Sequence, residues 1–177
     1  MKLVVLDRDG TINHDSDQYI KSPSEWKPIR GSLEAIARLS QAGWRVVVAT
    51  NQSGLARGLF DIATLNAIHD AMHRAVVQAG GRIAAIFICP HAPGAGCECR
   101  KPRPGMLHEI ADRMNVDLAT VPVVGDSLKD LQAAAAAGAR PYLVLTGKGH
   151  RTREAGGLPE GTLVFPDLAA VAAHLAP

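Results

Sequence analysis

The stretch VVLDRDGT, residues 4–11, decides how the rest of the chain is read. Lys2 to Leu6 has the apolar, β-branched character of a buried strand, and it stops abruptly at Asp7, with Arg8, Asp9 and Gly10 behind it. Two carboxylates two positions apart at a strand end, with a glycine to turn the chain, can face one reacting centre. A lone Asp-x-Asp is equally well a strand closed by a solvated charged turn. Its meaning therefore depends on what else the chain delivers to the same place.

Outward from this stretch the same pattern repeats. Gly31-Ser32 opens a helix with Leu33, Ile36, Ala37 and Leu39 at helical spacing, closed near Gly43. WRVVVAT, 44–50, is the second strand, ending in Thr50, Asn51, Gln52 and Ser53. Asp61 is a good N-cap for a helix to about Gln78, which Gly80-Gly81 terminates. IAAIFI, 83–88, is the third strand, and Pro104 starts a helix to about Asn115. VPVVGD, 121–126, is the fourth strand, followed by an alanine-rich helix over 127–137 that Gly138 stops. PYLVL and TLVF supply two more strands, and 166–175 a closing helix. The polar segment 13–30, with Pro23 and Pro28, reads as a flap, and TGKGHRT, 146–152, as a plain loop, because it lacks the glycine spacing of a nucleotide site.

Apolar strands alternating with amphipathic helices predict an α/β fold, a three-layer, Rossmann-like doubly wound parallel sheet. In such sheets ligands bind beyond the C-terminal strand ends. Asp7, Thr50, Cys89 and Asp126 all fall there.

Length and composition bound the alternatives. The 177 residues suit one domain, 1–177, and 20% charged residues with a net charge of +2 give no dominant field to attract nucleic acid or a membrane. The N-terminal apolar run is too short for a signal peptide, and Ala133–Ala139 is far short of a membrane span, so the expected location is cytoplasmic.

The remaining motifs are VVATNQSG (47–54), CRKPRPG (99–105) and VVGDSLKD (123–130). With VVLDRDGT, in this order, the chain resembles the haloacid dehalogenase superfamily over most of its length. It is most similar to the small capless phosphatases there that act on heptose 1,7-bisphosphate, with histidinol-phosphate phosphatases next. The resemblance implies a magnesium-dependent phosphomonoesterase that removes the 7-phosphate on the route to ADP-heptose for lipopolysaccharide. Magnesium would be held by Asp7, the backbone carbonyl of Asp9, and Asp126. Asp7 would be the nucleophile and Asp9 the general acid and base. Thr50, the backbone at Asn51, Ser53 and Lys101 would hold phosphoryl oxygens, and Asp130 would orient Lys101 or a metal-bound water. Histidinol phosphate is the alternative substrate.

CPHAPGAGCECR, 89–100, gathers all three cysteines beside a histidine. Cys89, His91, Cys97 and Cys99 are enough to close a tetrahedral zinc shell, which would be structural because no position is left for substrate. A reactive thiol cluster is the other reading. Zinc would staple an inserted loop, 89–103, after the third strand and so aim Arg100 and Lys101. Arg100 is a candidate contact for the distal phosphate or sugar, whereas Arg57 is either a second anion contact or a solvated charge. His69 and His73, at i and i+4, lack the glutamate of a zinc hydrolase helix and read as ordinary helix residues. Trp26 and Trp44 read as packing residues. The expected partner is a small phosphorylated sugar bound to a monomer, with the flap and zinc loop serving as walls. A noncatalytic zinc-binding interaction module is the competing class, and it would leave the carboxylates without a use.

Overall fold

The computed structural model describes residues 1–177. Six strands, β1 (Leu3–Leu6), β2 (Arg45–Asn51), β3 (Ile83–Cys89), β4 (Pro122–Gly125), β5 (Arg140–Val144) and β6 (Leu163–Phe165), form one parallel sheet. Their order is β3-β2-β1-β4-β5-β6. The helices are α1 (Ser32–Gln41), α2 (Ile62–Gln78), α3 (Gly105–Met114), α4 (Leu128–Ala136), α5 (Gly149–Ala155) and α6 (Leu168–Leu175). No helix is long and apolar enough to cross a membrane.

The strands read as continuous apolar runs because both faces of the sheet are covered. Val4, Leu6, Val46 and Val48 point to one side, where they pack with Ile36 and Leu39 of α1, Ile68 and Met72 of α2, and Val171 of α6. Leu3, Val5, Val47 and Val123 point to the other, against Met106, Leu107 and Ile110 of α3 and Ala133 and Ala134 of α4. This is the period-two alternation of a strand, used twice. The alanines let α4 lie close on the sheet, so the alanine-rich segment is a packing device.

Chain order runs outward from β1 to β2 and β3, then returns to β4 on the other side of β1. The strand order therefore reverses between β1 and β4, and the crevice beyond their C-terminal ends is the switch point where ligands bind in this architecture. Asp7 follows β1 there and Asp126 follows β4. The register Leu6↔Val124 continues with the Asp7 N–H donating to the Val124 carbonyl, 2.8 Å, so the two acidic turns start level.

The segment read as a plain loop after β5 is in part a helix. Thr146–Lys148 turns the chain, and α5 begins at Gly149. The local sequence has no apolar periodicity to announce it; Thr152 Oγ1 anchors it by donating to the Asp126 carbonyl oxygen, 2.8 Å. Thr146 Oγ1 likewise donates to the Gly10 carbonyl oxygen, 2.7 Å, which ties this turn to the β1 turn.

Gly125, the last residue of β4, lies against Asp130 so closely that a Cβ would overlap its carboxyl group. We expect Gly125→Ala to destabilise the fold by about 1–3 kcal/mol, the usual cost of overpacking, measured by urea denaturation.

Candidate active site

A cavity of about 300 Å³ opens over the β1 and β4 ends, lined mostly by polar and charged residues. Asp7, Asp9, Thr50, Asn51, Ser53, Arg57, Arg100, Lys101, Asp126 and Asp130, named from the sequence, all line it. They converge although the chain carries them on four separate segments. Polar walls of this kind suit a charged, hydroxyl-rich ligand rather than an apolar one.

Lys101 is the hub. Its side chain is 5% exposed, and its Nζ donates to Asp7 Oδ1 at 2.8 Å, Asp130 Oδ1 at 2.6 Å and the Ala49 carbonyl oxygen at 2.8 Å. Those three bonds use all three ammonium donors. Burial works against the charge, but Asp130 and Asp7 more than offset it and push the Lys101 pKa above its ordinary value. The backbone of Lys101 is fixed as well. Asn51 Oδ1 accepts from its N–H and Asn51 Nδ2 donates to its carbonyl oxygen, both 3.1 Å, so the Asn51 side chain clamps Lys101 and is spent on it rather than on a ligand.

Asp130 begins α4 with a capping interaction. Its Oδ2 accepts from the Ser127 N–H at 3.1 Å and the Ser127 hydroxyl at 2.7 Å, while Oδ1 takes Lys101. Both oxygens are thus occupied, so Asp130 orients Lys101 and is poorly free to ligate an ion.

Asp7 and Asp126 are different. They lie with Asp130 in a group whose oxygens are within 4.8 Å of one another. Burial, then the charge of Asp130, raise the Asp7 pKa well above the carboxylate range despite Lys101; the same two causes push Asp126 up to about 7. Asp126 Oδ2 accepts from the Lys148 N–H at 2.7 Å, leaving Oδ1 without a protein donor. Buried carboxylates with unused hard oxygens are a donor set that fits a small divalent cation such as magnesium.

Asp9 sits in a cradle of nitrogen donors. Arg8 Nε donates to Oδ1 at 2.9 Å and Nη2 to Oδ2 at 3.1 Å; Asn13 Nδ2 adds a bond of 2.9 Å and Gln52 Nε2 one of 3.1 Å. The Arg8 side chain is fully buried. Arg8, Asn13 and Gln52 were not foreseen as site residues. An arginine between two aspartates at a strand end reads as a solvated charge, and nothing local tells that its guanidinium is buried against Asp9. Lys148 was also missed; its Nζ lies 3.2 Å from Asp15 Oδ2, so it joins the flap to the turn before α5. Arg57 is exposed and its guanidinium stands 6.0 Å from the Tyr19 ring centre.

The cysteine loop leaves β3 at the buried Cys89. Cys89 Sγ lies 3.2 Å from Cys99 Sγ, 3.8 Å from Cys97 Sγ and 3.6 Å from His91 Nδ1, and Cys99 Sγ is 3.3 Å from the same nitrogen. Tetrahedral zinc with bonds of about 2.3 Å to sulfur separates its ligands by about 3.8 Å, so this cluster could hold zinc with little adjustment. All three thiols are free of disulfides. Burial pushes Cys99 up to about 12; at Cys97 the Arg100 N–H and neighbouring thiols outweigh desolvation and bring it down to about 7. His69 and His73 stay outside this cluster.

Comparison with known proteins agrees with this geometry. Residues 98–171 match the HAD-hydrolase-like family model. The chain is 67% identical to the D-glycero-beta-D-manno-heptose-1,7-bisphosphate 7-phosphatase of Bordetella bronchiseptica, covering 99% of this chain and 98% of that protein. It is 58% identical to the protein of the same name from Pseudomonas aeruginosa, over 98% and 97% of the two chains. The chain belongs to the D-glycero-beta-D-manno-heptose-1,7-bisphosphate 7-phosphatase family. The crystal structure of the B. bronchiseptica family member, complexed with magnesium and phosphate, superimposes with a TM-score of 0.98 over 99% of this chain and 98% of that one. A second family member, from Burkholderia thailandensis, is 58% identical with a TM-score of 0.80, covering 99% and 98%.

The acidic cluster makes stability depend on pH in a defined direction. Burial and the Asp130 charge push Asp126 up to about 7 in the fold, above the ordinary carboxylate range, so the folded state binds more protons than the unfolded chain below that value. Its contribution is complete at acidic pH and is lost as pH rises through about 7. Zinc-loaded, magnesium-free protein should therefore melt at lower temperature at pH 8 than at pH 6, with magnesium raising Tm more at pH 8. Differential scanning calorimetry checks both signs. Cys97→Ser should abolish stoichiometric zinc, measured by elemental analysis, and lower Tm, since the loop at Gly94 and Gly96 has no core of its own.

Proposed function

We propose that this chain, acting as one domain over residues 1–177, is a phosphomonoesterase that removes the 7-phosphate of D-glycero-β-D-manno-heptose 1,7-bisphosphate. The observation that carries the reading is the meeting of Asp7, Asp126 and Lys101 at the switch point, with Asp9 two residues beyond Asp7. The names of the family members above support the substrate. The magnesium reported with the B. bronchiseptica relative supports the cation.

A phosphate monoester dianion repels a carboxylate. Magnesium, held by Asp7, Asp126 and the Asp9 carbonyl, would supply the charge that lets them meet. Asp7 attacks phosphorus in line, the bond from phosphorus to the sugar oxygen breaks, and Asp9 gives that oxygen a proton. Asp9 then takes a proton from the water that attacks the aspartyl phosphate, which releases phosphate and restores Asp7. Thr50 and Ser53 present hydroxyls, and the Asn51 backbone an N–H, to the phosphoryl oxygens. The Lys101 donor now spent on Asp7 Oδ1 is free to follow the transferred charge once Asp7 is esterified.

Zinc at Cys89, His91, Cys97 and Cys99 has no part in these steps. It would hold the loop so that Arg100 and Lys101 stay at the cavity wall. Arg100, with Lys129 and Arg57 along the same wall, gives the distal phosphate cationic partners, which histidinol phosphate with its amine does not require. The substrate is a small phosphorylated sugar, neither nucleic acid nor membrane being called for by the site, and a monomer fits a cavity built from one chain; the reading keeps the cytoplasmic location expected from the sequence.

The test is phosphate release, with magnesium, from the β and α anomers of heptose 1,7-bisphosphate and from histidinol phosphate. A preference for the β anomer in kcat/KM is expected, narrowed by Arg100→Ala. Preference for histidinol phosphate would overturn the substrate. Asp7→Asn should lose turnover by at least about a thousandfold while keeping zinc and Tm; an active variant would overturn the nucleophile assignment, and with it the enzyme reading over a noncatalytic zinc module.

A further inference from the structure

Arg8 raises a question that the proposed mechanism leaves unanswered. It is a fully buried guanidinium, and its Nε and Nη2 are bound to Asp9. A cation tied only to the group it is meant to hold would follow that group's motion and fix nothing. The single other partner of its side chain is His69, whose Nε2 lies 3.1 Å from Arg8 Nη1. Guanidinium can only donate, so His69 must accept there through an unprotonated Nε2. Burial, then the Arg8 charge, bring its pKa down to about 4, in keeping with a neutral ring.

His69 itself is well fixed. It sits in the middle of the seventeen-residue α2, between Leu65 and Met72, which are fully buried, and next to Ile68. Its ring also borders a shallow cleft with Asp70, His73, Ile86 and Ile88. The chain thus runs from a rigid helix through a neutral imidazole and a buried guanidinium to a carboxylate at the reacting edge. Asn13 and Gln52 add neutral bonds to the same carboxylate, and Gln52 Nε2 also reaches Thr50 Oγ1 at 2.9 Å.

We propose that His69 is a positioning residue for phosphoryl transfer: by accepting from Arg8 it gives the guanidinium a fixed reference on α2, so that Arg8 holds the Asp9 carboxyl where it can protonate the leaving oxygen. The proposal rests on the phosphatase reading above and adds a residue outside the cavity to it.

The experiment compares two leaving groups. kcat/KM reports steps up to departure of the leaving group, after which the aspartyl phosphate remains. A sugar alkoxide needs the proton from Asp9, whereas p-nitrophenolate leaves without it. His69→Leu, which removes the acceptor and keeps an apolar side chain, should lower kcat/KM for heptose bisphosphate about tenfold, a part of the roughly hundredfold or more that general acid catalysis contributes. For p-nitrophenyl phosphate the fall should stay within about twofold. His69→Gln, which restores an acceptor, should return the ratio of the two substrates to that of wild type. Should His69→Leu fail to fold, His69→Met, flexible and at most a weak acceptor, takes its place with the same expectation.

Equal falls on the two substrates, no fall on either, or a Gln variant as selective in its loss as Leu would each overturn the role of His69. If the wild-type chain prefers another alkyl phosphate, that compound replaces heptose bisphosphate and the His69 test stands while the substrate assignment falls. Wild type inactive on every alkyl phosphate would overturn both.

Discussion

The ammonium of Lys101, buried between two carboxylates and a strand carbonyl, is the interaction on which the rest of the site depends. A buried charge is tolerated only when its bonds are complete. Here they are completed by Asp7 after β1, Ala49 in β2 and Asp130 in α4, so one nitrogen sets the spacing of three elements. Its own backbone is carried by the cysteine loop and clamped by Asn51. Any shift of that loop is therefore a shift of the charge beside Asp7. This couples the cysteine cluster to the position of Asp7, the carboxylate proposed above as nucleophile.

The electrostatics around that nitrogen are deliberately incomplete. Asp7, Asp126 and Asp130 place three carboxyl groups near one ammonium, and the raised pKa values of Asp7 and Asp126 express the surplus. A pocket for the phosphate dianion proposed above would be ill served by free negative charge. The arrangement makes sense when a divalent cation supplies the difference, as the unused Oδ1 of Asp126 and the hard-donor set indicate. Asp9 is kept out of that crowd. Its carboxyl group is held separately by Arg8, Asn13 and Gln52.

The two clusters of potential metal ligands follow different chemical rules. One is made of hard oxygens at the sheet edge with room for a ligand, and the other of sulfur and imidazole with four donors already gathered into a tetrahedron's spacing. An open site suits reaction and a closed one suits stapling. Lys101, two residues past Cys99, is where they meet.

The sequence alone was enough for the parallel α/β architecture, because buried strands, amphipathic helices and Asp61 or Gly138 as punctuation are local signals. It also placed Asp7, Thr50, Cys89 and Asp126 together, since each ends a strand and all strands of such a sheet end on one edge. The short helix α5 was not legible: it has no apolar period and is held by Thr152 reaching Asp126 across the sheet edge. Nor was the role of Asn51, whose side chain serves Lys101 fifty residues away. The same holds for Arg8 and His69. A residue between two aspartates and a histidine on an amphipathic helix carry no local sign that they touch, and only the packing of α2 against the sheet brings them within hydrogen-bond distance. Local periodicity determined which elements form and where their polar ends lie; the pairing of buried charges, which depends on contacts distant in sequence, was decided by the tertiary structure.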